Sequence, residues 1–232
     1  MNSTRLVICL LASVPAGWLA GALYERIPGR RSLLKPRPGY HLSGINLTMQ
    51  VLITGLFALG AARFPDENPF VLAAYLVFFL VSVVLAMIDI DTLRLPDAIV
   101  GGALVVSIPL ITIGSLASRD AQQIQYALLG GLCYFGFLFN VHLIFGNRGM
   151  GFGDVKLAAL LGLFLGWVAT SGLTAVVYVM YAALAGFVVG AGVGIVLVAV
   201  RGRSRSYPMG PFLIGGALIV LAFSAQLSPV GV

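Results

Sequence analysis

Long apolar runs alternate with short polar stretches along this chain. At about 1.5 Å per helical residue, most of these runs are long enough to cross roughly 30 Å of hydrocarbon. The runs are continuously apolar, whereas a transmembrane barrel strand alternates apolar and polar side chains over about ten residues. The pattern therefore predicts membrane-spanning helices, and the candidate runs are residues 6–24, 45–62, 70–88, 98–116, 124–145, 157–200 and 209–225.

The run at 157–200 is too long for a single crossing, because a helix of that length would extend roughly 66 Å. The sequence "ATSGL" at 169–173 predicts a turn, since Gly172 stands beside two small hydroxyl residues. Divided there, the run gives two helices, the first of them short. We therefore predict an all-α, polytopic integral membrane protein with about eight transmembrane helices.

Composition agrees with this fold class. Hydrophobic residues make up 59% of the chain and charged residues 9%. Soluble domains contain about 45–50% apolar and about 25% charged residues. The composition predicts a single membrane-embedded domain over residues 1–232, with the lipid bilayer as its surroundings.

Basic residues are distributed unevenly between the two sets of connections that eight crossings produce. The set that includes both termini contains only Arg5, Arg63 and Arg119. By the positive-inside rule the other set is cytoplasmic and both termini are extracytoplasmic, with a short basic cytoplasmic loop at about 25–44. The net charge of +6 thus reflects topology and predicts no nucleic-acid partner, which would need a basic face on a folded domain. The cytoplasmic set contains Arg26, Arg30, Arg31, Lys35, Arg37, Arg94, Arg148, Lys156, Arg201, Arg203 and Arg205.

Two acids stand at the borders of apolar runs. Asp89 follows the third run in "MIDIDTLRLPDA", and Asp154 starts the sixth predicted helix in "GMGFGDVKLAALLG". An ionised carboxylate at such a border is costly, so an acid found there is a candidate for function. Asp97 follows Pro96 at a predicted helix start, where capping is the simple interpretation.

Gly151 and Gly153 precede Asp154 in the sequence "GFGD". Without side chains, glycines permit backbone conformations and close approaches that other residues forbid. We expect an extended substrate segment to lie against this backbone, as in strand addition to an exposed edge.

Asp89 and Asp154 have a joint chemistry if the fold brings them together. Ionising two carboxyl groups at close range costs free energy because the two negative charges repel each other. The pair would therefore hold one proton between them. The ionised acid would act as general base on a water, and the protonated acid would polarise a scissile carbonyl. This chemistry is aspartyl proteolysis, while a purely structural role for both acids stays open.

Two motifs in the chain resemble the signature motifs of bacterial type IV prepilin peptidases. They are "AMIDIDTLRLPD" at 86–97 and "GMGFGDVKLAALLG" at 149–162. That family belongs with archaeal preflagellin peptidases and, more distantly, presenilin in the GxGD class of membrane aspartyl proteases. "GWLAGALYERIPGR" at 17–30 is similar to the family's first span, and "YPMGPFLIGGAL" at 207–218 is similar to its final Pro-x-Gly-Pro segment. The resemblance covers nearly the whole chain in order.

The resemblance implies a membrane peptidase of the bacterial inner membrane. Such an enzyme cleaves the short basic leader of type IV pilin-like precursors at the cytoplasmic face. On the family motif the catalytic pair falls on Asp89 and Asp154. Asp91 either contacts the basic leader or stays in solvent. Asp97 is a candidate for an acidic surface that receives the leader, and Lys156 for holding the negative charge of the site or of lipid headgroups.

The region between the first two spans departs from the family pattern. Many members carry there a cytoplasmic insert with two C-x-x-C pairs that indicates a zinc site, whereas residues 26–46 contain no cysteine. The single His41 does not supply the four ligands of a structural zinc site, so no metal is predicted. Bifunctional members also methylate the new N-terminus with S-adenosylmethionine, an activity associated with that cytoplasmic part. We therefore expect a short-form, peptidase-only enzyme without a cofactor, and the alternative is a bifunctional peptidase and N-methyltransferase that uses S-adenosylmethionine.

Functions of other classes are alternatives to proteolysis. In a proton-coupled membrane carrier, Asp89 and Asp154 would relay protons. Such carriers tend to have repeated halves with interrupted helices near the bilayer midplane, and no clear repeat is present here. A non-catalytic scaffold of pilus assembly is the third interpretation. No pattern in the sequence specifies one particular precursor or an oligomeric state.

Three further features have structural interpretations. Small residues recur at helical spacing in "GFVVGAGVG" at 186–194, which suits close helix packing. His142 is expected to be a hydrogen-bonded interior histidine near the cytoplasmic end of the fifth span. Trp18 and Trp167 are expected to anchor the protein at the membrane interfaces.

Overall fold

A computed structural model describes residues 3–26, 44–64, 67–146, 150–201 and 207–227. These residues form eight helices and their connections, with no strand among them, so the all-α prediction is confirmed for this part of the chain. The predicted basic loop at 25–44 lies almost entirely outside the described residues. The helices are α1 Ser3–Arg26, α2 Gly44–Arg63, α3 Pro69–Thr92, α4 Asp97–Ala117, α5 Gln122–Phe145, α6 Phe152–Trp167, α7 Gly172–Arg201 and α8 Gly210–Leu227.

The long apolar run is divided at the predicted turn. α6 ends at Trp167 and α7 begins at Gly172. Ser171 caps α7, because its side-chain oxygen accepts the backbone N–H of Thr174 at 3.1 Å. Six of the eight helices, α1 to α5 and α7, are long and apolar enough to cross a membrane. The chain is thus a multi-pass membrane protein with six candidate spans, and α6 and α8 are shorter.

Arginine side chains hold together the end of the bundle at which α1 and α3 begin. Arg5 on α1 donates a hydrogen bond to the carbonyl of Glu67, between α2 and α3, at 2.8 Å. Arg63 at the end of α2 donates to the Ser224 hydroxyl, near the end of α8, at 2.6 Å. The end of α8 therefore lies beside the start of α3, and the two helices run in opposite directions.

The most enclosed helices are α3 and α6. In α3, 67% of the apolar segment is buried, compared with 17% to 33% in the other five candidate spans. In α6, 12 of the 16 residues are buried. A helix surrounded by other helices needs apolar side chains on every face, which explains why α6 is uniformly apolar after Lys156. The two helices that carry Asp89 and Asp154 are thus the centre of the bundle.

Glycines allow α5 and α6 to pack backbone against backbone. Gly130 on α5 and Gly162 on α6 face each other so closely that a Cβ at either position would collide with the backbone of the other. One turn further along α6, a Cβ at Gly166 would lie 3.0 Å from the Cα of Ala127. Small residues permit such close approach between membrane helices, so the placement of α6 depends on α5.

The predicted packing role of the glycines in α7 is confirmed. Gly186, Gly190 and Gly194 share the face of α7 that packs on α8 and on the segment before it. A Cβ at Gly186 would lie 3.0 Å from the carbonyl oxygen of Phe212, and a Cβ at Gly194 would lie 3.1 Å from the ring of Tyr207. The spacing of four residues keeps these positions on one side of the helix.

Trp167 is a core residue, so the prediction that it anchors the protein at a membrane interface is wrong. Its side chain is 7% exposed and packs against the ring of Tyr75, with 5.8 Å between ring centroids. Its indole N–H donates to the hydroxyl of Ser115 near the end of α4 at 2.9 Å. The last turn of α6 is enclosed by α3 and α4, which the sequence pattern did not reveal. Trp18 on α1 is 57% exposed, and its interfacial role stays a prediction.

Candidate active site

Asp89 lies in the last turn of α3. Its carbonyl accepts the N–H of Leu93 at 2.9 Å, and Leu93 ends the helix with a left-handed backbone of φ 53°. The side chain is directed into the bundle, because the residue is only 5% exposed. The last turn of a helix presents free carbonyl groups and no free N–H groups. A donor for the Asp89 carboxyl therefore has to come from another element.

Asp154 lies in the first turn of α6, whereas Asp89 lies in the last turn of its helix. The helix begins at Phe152 with Gly151 as its N-cap residue, and the N–H of Asp154 donates to the carbonyl of Gly151 at 3.1 Å. The residue is 9% exposed. The first turn of a helix offers free N–H groups and the positive end of the helix dipole, which favour a carboxylate. The helix that carries Asp154 thus also stabilises its charge.

A cavity of about 360 Å³ receives both acids. Asp89 and Asp154 both line it, from the end of α3 and the start of α6. The condition for a joint chemistry of the two acids, that the fold brings them together, is therefore met, while their catalytic role stays a prediction. The other residues that line the cavity are Leu93, Arg94, Leu95, Asp97, Gly151, Phe152, Gly153 and Lys156.

Gly210 contacts Asp89 and was not predicted as a site residue. It is the first residue of α8, and its N–H donates to Oδ2 of Asp89 at 2.9 Å in a buried hydrogen bond. A Cβ at Gly210 would lie 2.8 Å from the same oxygen. The sequence carries a signal, a glycine between Met209 and Pro211 at the start of an apolar run. This pattern does not predict which residue Gly210 contacts, because 121 residues separate Gly210 from Asp89 in the chain.

Gly151 and Gly153 both line the cavity, as expected of site-shaping residues, but they do not form a strand edge. Gly151 has extended backbone, with φ −68° and ψ 145°, whereas α6 already begins at Phe152. Strand addition needs an extended edge, so residues 152–154 do not provide one. Gly153 instead allows close packing, since a Cβ there would lie 3.0 Å from the Cβ of Leu95 in the connection between α3 and α4.

Asp97 and Lys156 form an ion pair at the cavity. The distance between Lys156 Nζ and Asp97 Oδ2 is 2.7 Å, and Lys156 also lies 5.0 Å from the ring centroid of Phe152. Pro96 is the N-cap residue of α4, and Asp97 is its first helical residue, so the capping interpretation of Asp97 is wrong. Both side chains are partly exposed, and such pairs stabilise a fold by only about 0–1 kcal/mol. The charge of Asp97 is thus already partnered in the structure.

Asp91 and Arg94 differ in their relation to the cavity. Asp91 is exposed and does not line it, so its two interpretations, leader contact and solvated charge, both stay predictions. Arg94 is also exposed but does line it. From the sequence, Arg94 is interpreted only as one of the basic residues that indicate topology, because nothing in its local pattern distinguishes it from the others.

His142 is hydrogen-bonded, as predicted, but it is half-buried and not a fully interior residue. Its Nδ1 donates to the carbonyl of Met150 at 2.9 Å, and its ring lies 5.6 Å from that of Phe152. The bond connects the end of α5 to the residue that precedes Gly151. Within the ranges that the structure describes, no group of three or more His, Cys, Asp and Glu side chains is clustered. The prediction of a metal-free site is not tested by this finding.

Comparison with protein families relates this site to known proteins. The sequence profile described as the type IV leader peptidase family matches residues 76–195, just over half of the chain. The matched segment includes Asp89 and Asp154 and ends before Gly210.

Curated relatives cover a larger part of the chain. A Burkholderia pseudomallei (strain 1026b) protein called prepilin leader peptidase/N-methyltransferase is 37% identical over 178 residues, which cover 74% of this chain and 53% of the relative. An Aeromonas hydrophila protein with the same description is 29% identical over 177 residues, covering 76% of this chain and 58% of the relative. The chain thus spans about half the length of the curated relatives it matches. No solved structure gives a significant match.

Proposed function

Because the chain belongs to the type IV leader peptidase family, we propose that it is a membrane aspartyl endopeptidase. Its substrates are type IV pilin-like precursors, from which it removes the short basic leader at the cytoplasmic face of the bacterial inner membrane. The observation that carries the proposal is that Asp89 and Asp154, from two different helices, line one cavity. The description of the relatives as prepilin leader peptidases supports the substrate class.

The reaction uses the two acids as a pair that shares one proton. The ionised carboxylate takes a proton from a water molecule, whose oxygen attacks the scissile carbonyl carbon. The protonated acid donates its proton to the carbonyl oxygen, which gives a tetrahedral intermediate. When the C–N bond breaks, the amine nitrogen takes up the proton that the pair holds. One hydroxyl group of the intermediate returns its proton to the pair as the new carboxyl group forms, so the pair again holds one proton.

The leader binds at the rim of the cavity, where the charged side chains are exposed. Asp97 accepts a basic side chain of the leader, and Lys156 gives up its ion pair with Asp97 when this happens. Asp91 adds to the negative surface beside the cavity or stays in solvent. The support for this arrangement is the position of Asp97 and Lys156 on the cavity and the exposure of Asp91.

The proposal includes a topology in which all eight helices cross the membrane as a single domain and both termini are extracytoplasmic. The cavity lies where α3 ends and where α4, α6 and α8 begin. The positive-inside rule assigns this end to the cytoplasm, where precursor leaders are accessible. The enclosure of α6 by other helices supports a crossing that is shorter than the others, since such a helix has little contact with lipid.

Peptidase activity without methylation is the form that we propose, with no metal and no cofactor. The alternative is favoured by the description of the relatives, which includes N-methyltransferase. It would add S-adenosylmethionine as a cofactor. Mass spectrometry of the product's new N-terminus, after incubation with S-adenosylmethionine, distinguishes an unmodified from a methylated product.

The experiment that tests the proposal is cleavage of a pilin-like precursor by the purified protein in lipid, with Asp89→Asn and Asp154→Asn. Asparagine keeps the size and hydrogen bonding of aspartate but has no titratable proton. General acid–base catalysis contributes about 10² to 10⁴ in rate. We therefore expect the kcat of each variant to fall by at least about 10²-fold. The unfolding temperature of each variant should stay near that of the wild type.

Asp120→Asn is the matched control, because Asp120 is exposed and lies in the connection before α5, outside the cavity. It should cleave at the wild-type rate. If Asp89→Asn and Asp154→Asn also cleave at that rate, proteolysis by these residues is contradicted, and a scaffold or a proton-coupled carrier has to be tested instead.

A further inference from the structure

The contact between Gly210 and Asp89 assigns a function to the start of α8. We propose that Gly210 is a positioning residue for Asp89, and that the first turn of α8 is a third component of the active site, beside the end of α3 and the start of α6. The inference rests on the proposed function for its catalytic consequence. The contact itself is independent of that function.

The Asp89 carboxyl receives a hydrogen bond from outside its own helix. Asp89 lies where α3 has only free carbonyl groups, and it accepts the Gly210 N–H at 2.9 Å. Gly210 begins a helix, so its N–H is one of the groups that has no partner within α8. The prolines at 208 and 211 have no N–H. Gly210 therefore supplies a donor that its proline neighbours in this turn lack.

The space between position 210 and Asp89 has no room for a side chain. A Cβ at position 210 would lie 2.8 Å from Oδ2 and 3.3 Å from Cγ of Asp89. The residue is buried, as is the carboxyl that it contacts. Any side chain at this position would therefore push the carboxyl away from the N–H that holds it. Glycine is required here by the close approach of the carboxylate.

The two acids differ in their local surroundings. Asp154 lies in the first turn of its own helix, where backbone N–H groups are free, whereas the Asp89 carboxyl accepts a hydrogen bond from a helix that is distant in sequence. Reacting groups displaced by about 1 Å can lose roughly 10²-fold in rate. The position of the Asp89 carboxyl thus depends on how α8 docks against α3, and Gly210 is the residue of α8 that donates the hydrogen bond to it.

The kinetic test compares Gly210→Ala with two other alanine substitutions in α8. A Cβ at Gly215 would meet nothing within 4 Å, so Gly215→Ala is the matched control. A Cβ at Gly216 would collide with the backbone of Ala182 in α7, so Gly216→Ala disturbs helix packing at a distance from the site. Each variant is assayed for precursor cleavage as a function of pH, with kcat and KM determined separately.

We expect Gly210→Ala to lower kcat by about 10²-fold with little change in KM. Its acid limb in the pH–rate profile moves to higher pH, because a carboxylate that has lost a donor binds its proton more tightly. Gly215→Ala keeps the wild-type rate, and Gly216→Ala keeps the wild-type pH profile although its stability falls. A wild-type rate and profile for Gly210→Ala would overturn the proposal, as would the same shift of the profile in Gly216→Ala.

A stability cycle tests the contact without relying on activity. Gly210→Ala is made in the wild type and in Asp89→Ala, and thermal unfolding of all four proteins is measured in lipid or detergent. Because Asp89→Ala removes the atoms that the new methyl group would meet, the loss in unfolding temperature should be large in the wild type and small in Asp89→Ala. If Gly210→Ala does not fold in the wild type, folding of the double variant supports the contact. Equal losses in both backgrounds, or failure of the double variant to fold, would overturn it, whatever the outcome for proteolysis.

Discussion

At the scale of single residues, the structure separates acids that are alike in sequence. Asp89 and Asp91 are two positions apart near the end of α3, yet Asp89 is buried against the cavity and Asp91 is exposed. Successive residues of a helix point about 100° apart, so residues i and i+2 face different surroundings. The third acid of the same stretch, Asp97, already has a cation beside it in Lys156. Among the residues that the structure describes, only Asp97 of these three has an exchangeable ionic partner at the cavity.

If Asp97 exchanges Lys156 for a basic side chain of the leader, substitutions of Asp97 and Lys156 should have opposite effects on the KM of the precursor. Lys156→Gln leaves Asp97 free for a basic leader and should lower the KM of the precursor, whereas Asp97→Asn should raise it. An exposed ion pair contributes up to about 1 kcal/mol, so we expect changes of roughly two- to fivefold, with kcat little affected. Steady-state kinetics at low and high salt measure the effect, which should weaken as salt screens the charges.

A precursor whose leader lacks basic residues is the control for this exchange. With that substrate the two variants should have the same KM as the wild type. Changes in KM that persist with the neutral leader would mean that the pair shapes the cavity and does not bind leader charge.

At the scale of helices, contacts between backbones decide where the acids lie. α6 contributes Asp154, and it is held against α5 by glycines that leave no room for a side chain. Membrane helices gain little from hydrophobic burial against each other, so close packing supplies much of their association. The position of Asp154 therefore depends on the surface between α5 and α6 as well as on its own helix.

Two glycines of α5 provide a matched test of this packing. A Cβ at Gly130 would collide with the backbone of Gly162, whereas a Cβ at Gly136 would meet nothing within 4 Å. Gly130→Ala should lower the free energy of unfolding by about 1–3 kcal/mol, as overpacked positions do. Gly136→Ala should be neutral or stabilising by up to about 1 kcal/mol, because alanine favours the helix.

Thermal or denaturant unfolding in detergent measures both variants under the same conditions. Equal stability of Gly130→Ala and Gly136→Ala would contradict the close contact between α5 and α6.

At the scale of the whole molecule, the described contacts connect the helix ends in two groups. Asp89, at the end of α3, meets the start of α8, while Arg63, at the end of α2, meets Ser224 near the end of α8. Arg5 and Arg63, from the set of connections that is poor in basic residues, both lie in the second group. The grouping of helix ends by contact thus agrees with their grouping by charge.

The proposed topology predicts which exposed residues can be reached from outside the cell. Asp120→Cys should react with a membrane-impermeant thiol reagent on intact cells, because the proposed topology puts its connection on the extracytoplasmic side. Asp91→Cys should react only after the cells are opened. Both positions are exposed in the structure, so access across the membrane decides the result.

The unsubstituted chain, with Cys9 and Cys133, measures background labelling. Labelling of Asp91→Cys alone on intact cells would reverse the proposed orientation and would put the cavity on the outer side.

Local patterns in the sequence were sufficient to predict the helices and to identify the two acids at their borders as candidate site residues. The apolar runs, the turn before Gly172 and the positions of Asp89 and Asp154 were predicted because each depends on residues that are neighbours in the chain. The same holds for the small-residue face of α7, whose members are four residues apart. In a membrane a long apolar run has few alternatives to a helix, since every backbone polar group must be paired within the segment.

Only the tertiary structure decided which of these residues meet. It brings Asp89 and Asp154 to one cavity, adds Gly210 from 121 residues away and pairs Asp97 with Lys156. It also encloses Trp167, which the pattern had assigned to an interface. These facts depend on how uniformly apolar helices pack against each other, and a helix that is apolar on every face carries no signal for which face meets which neighbour.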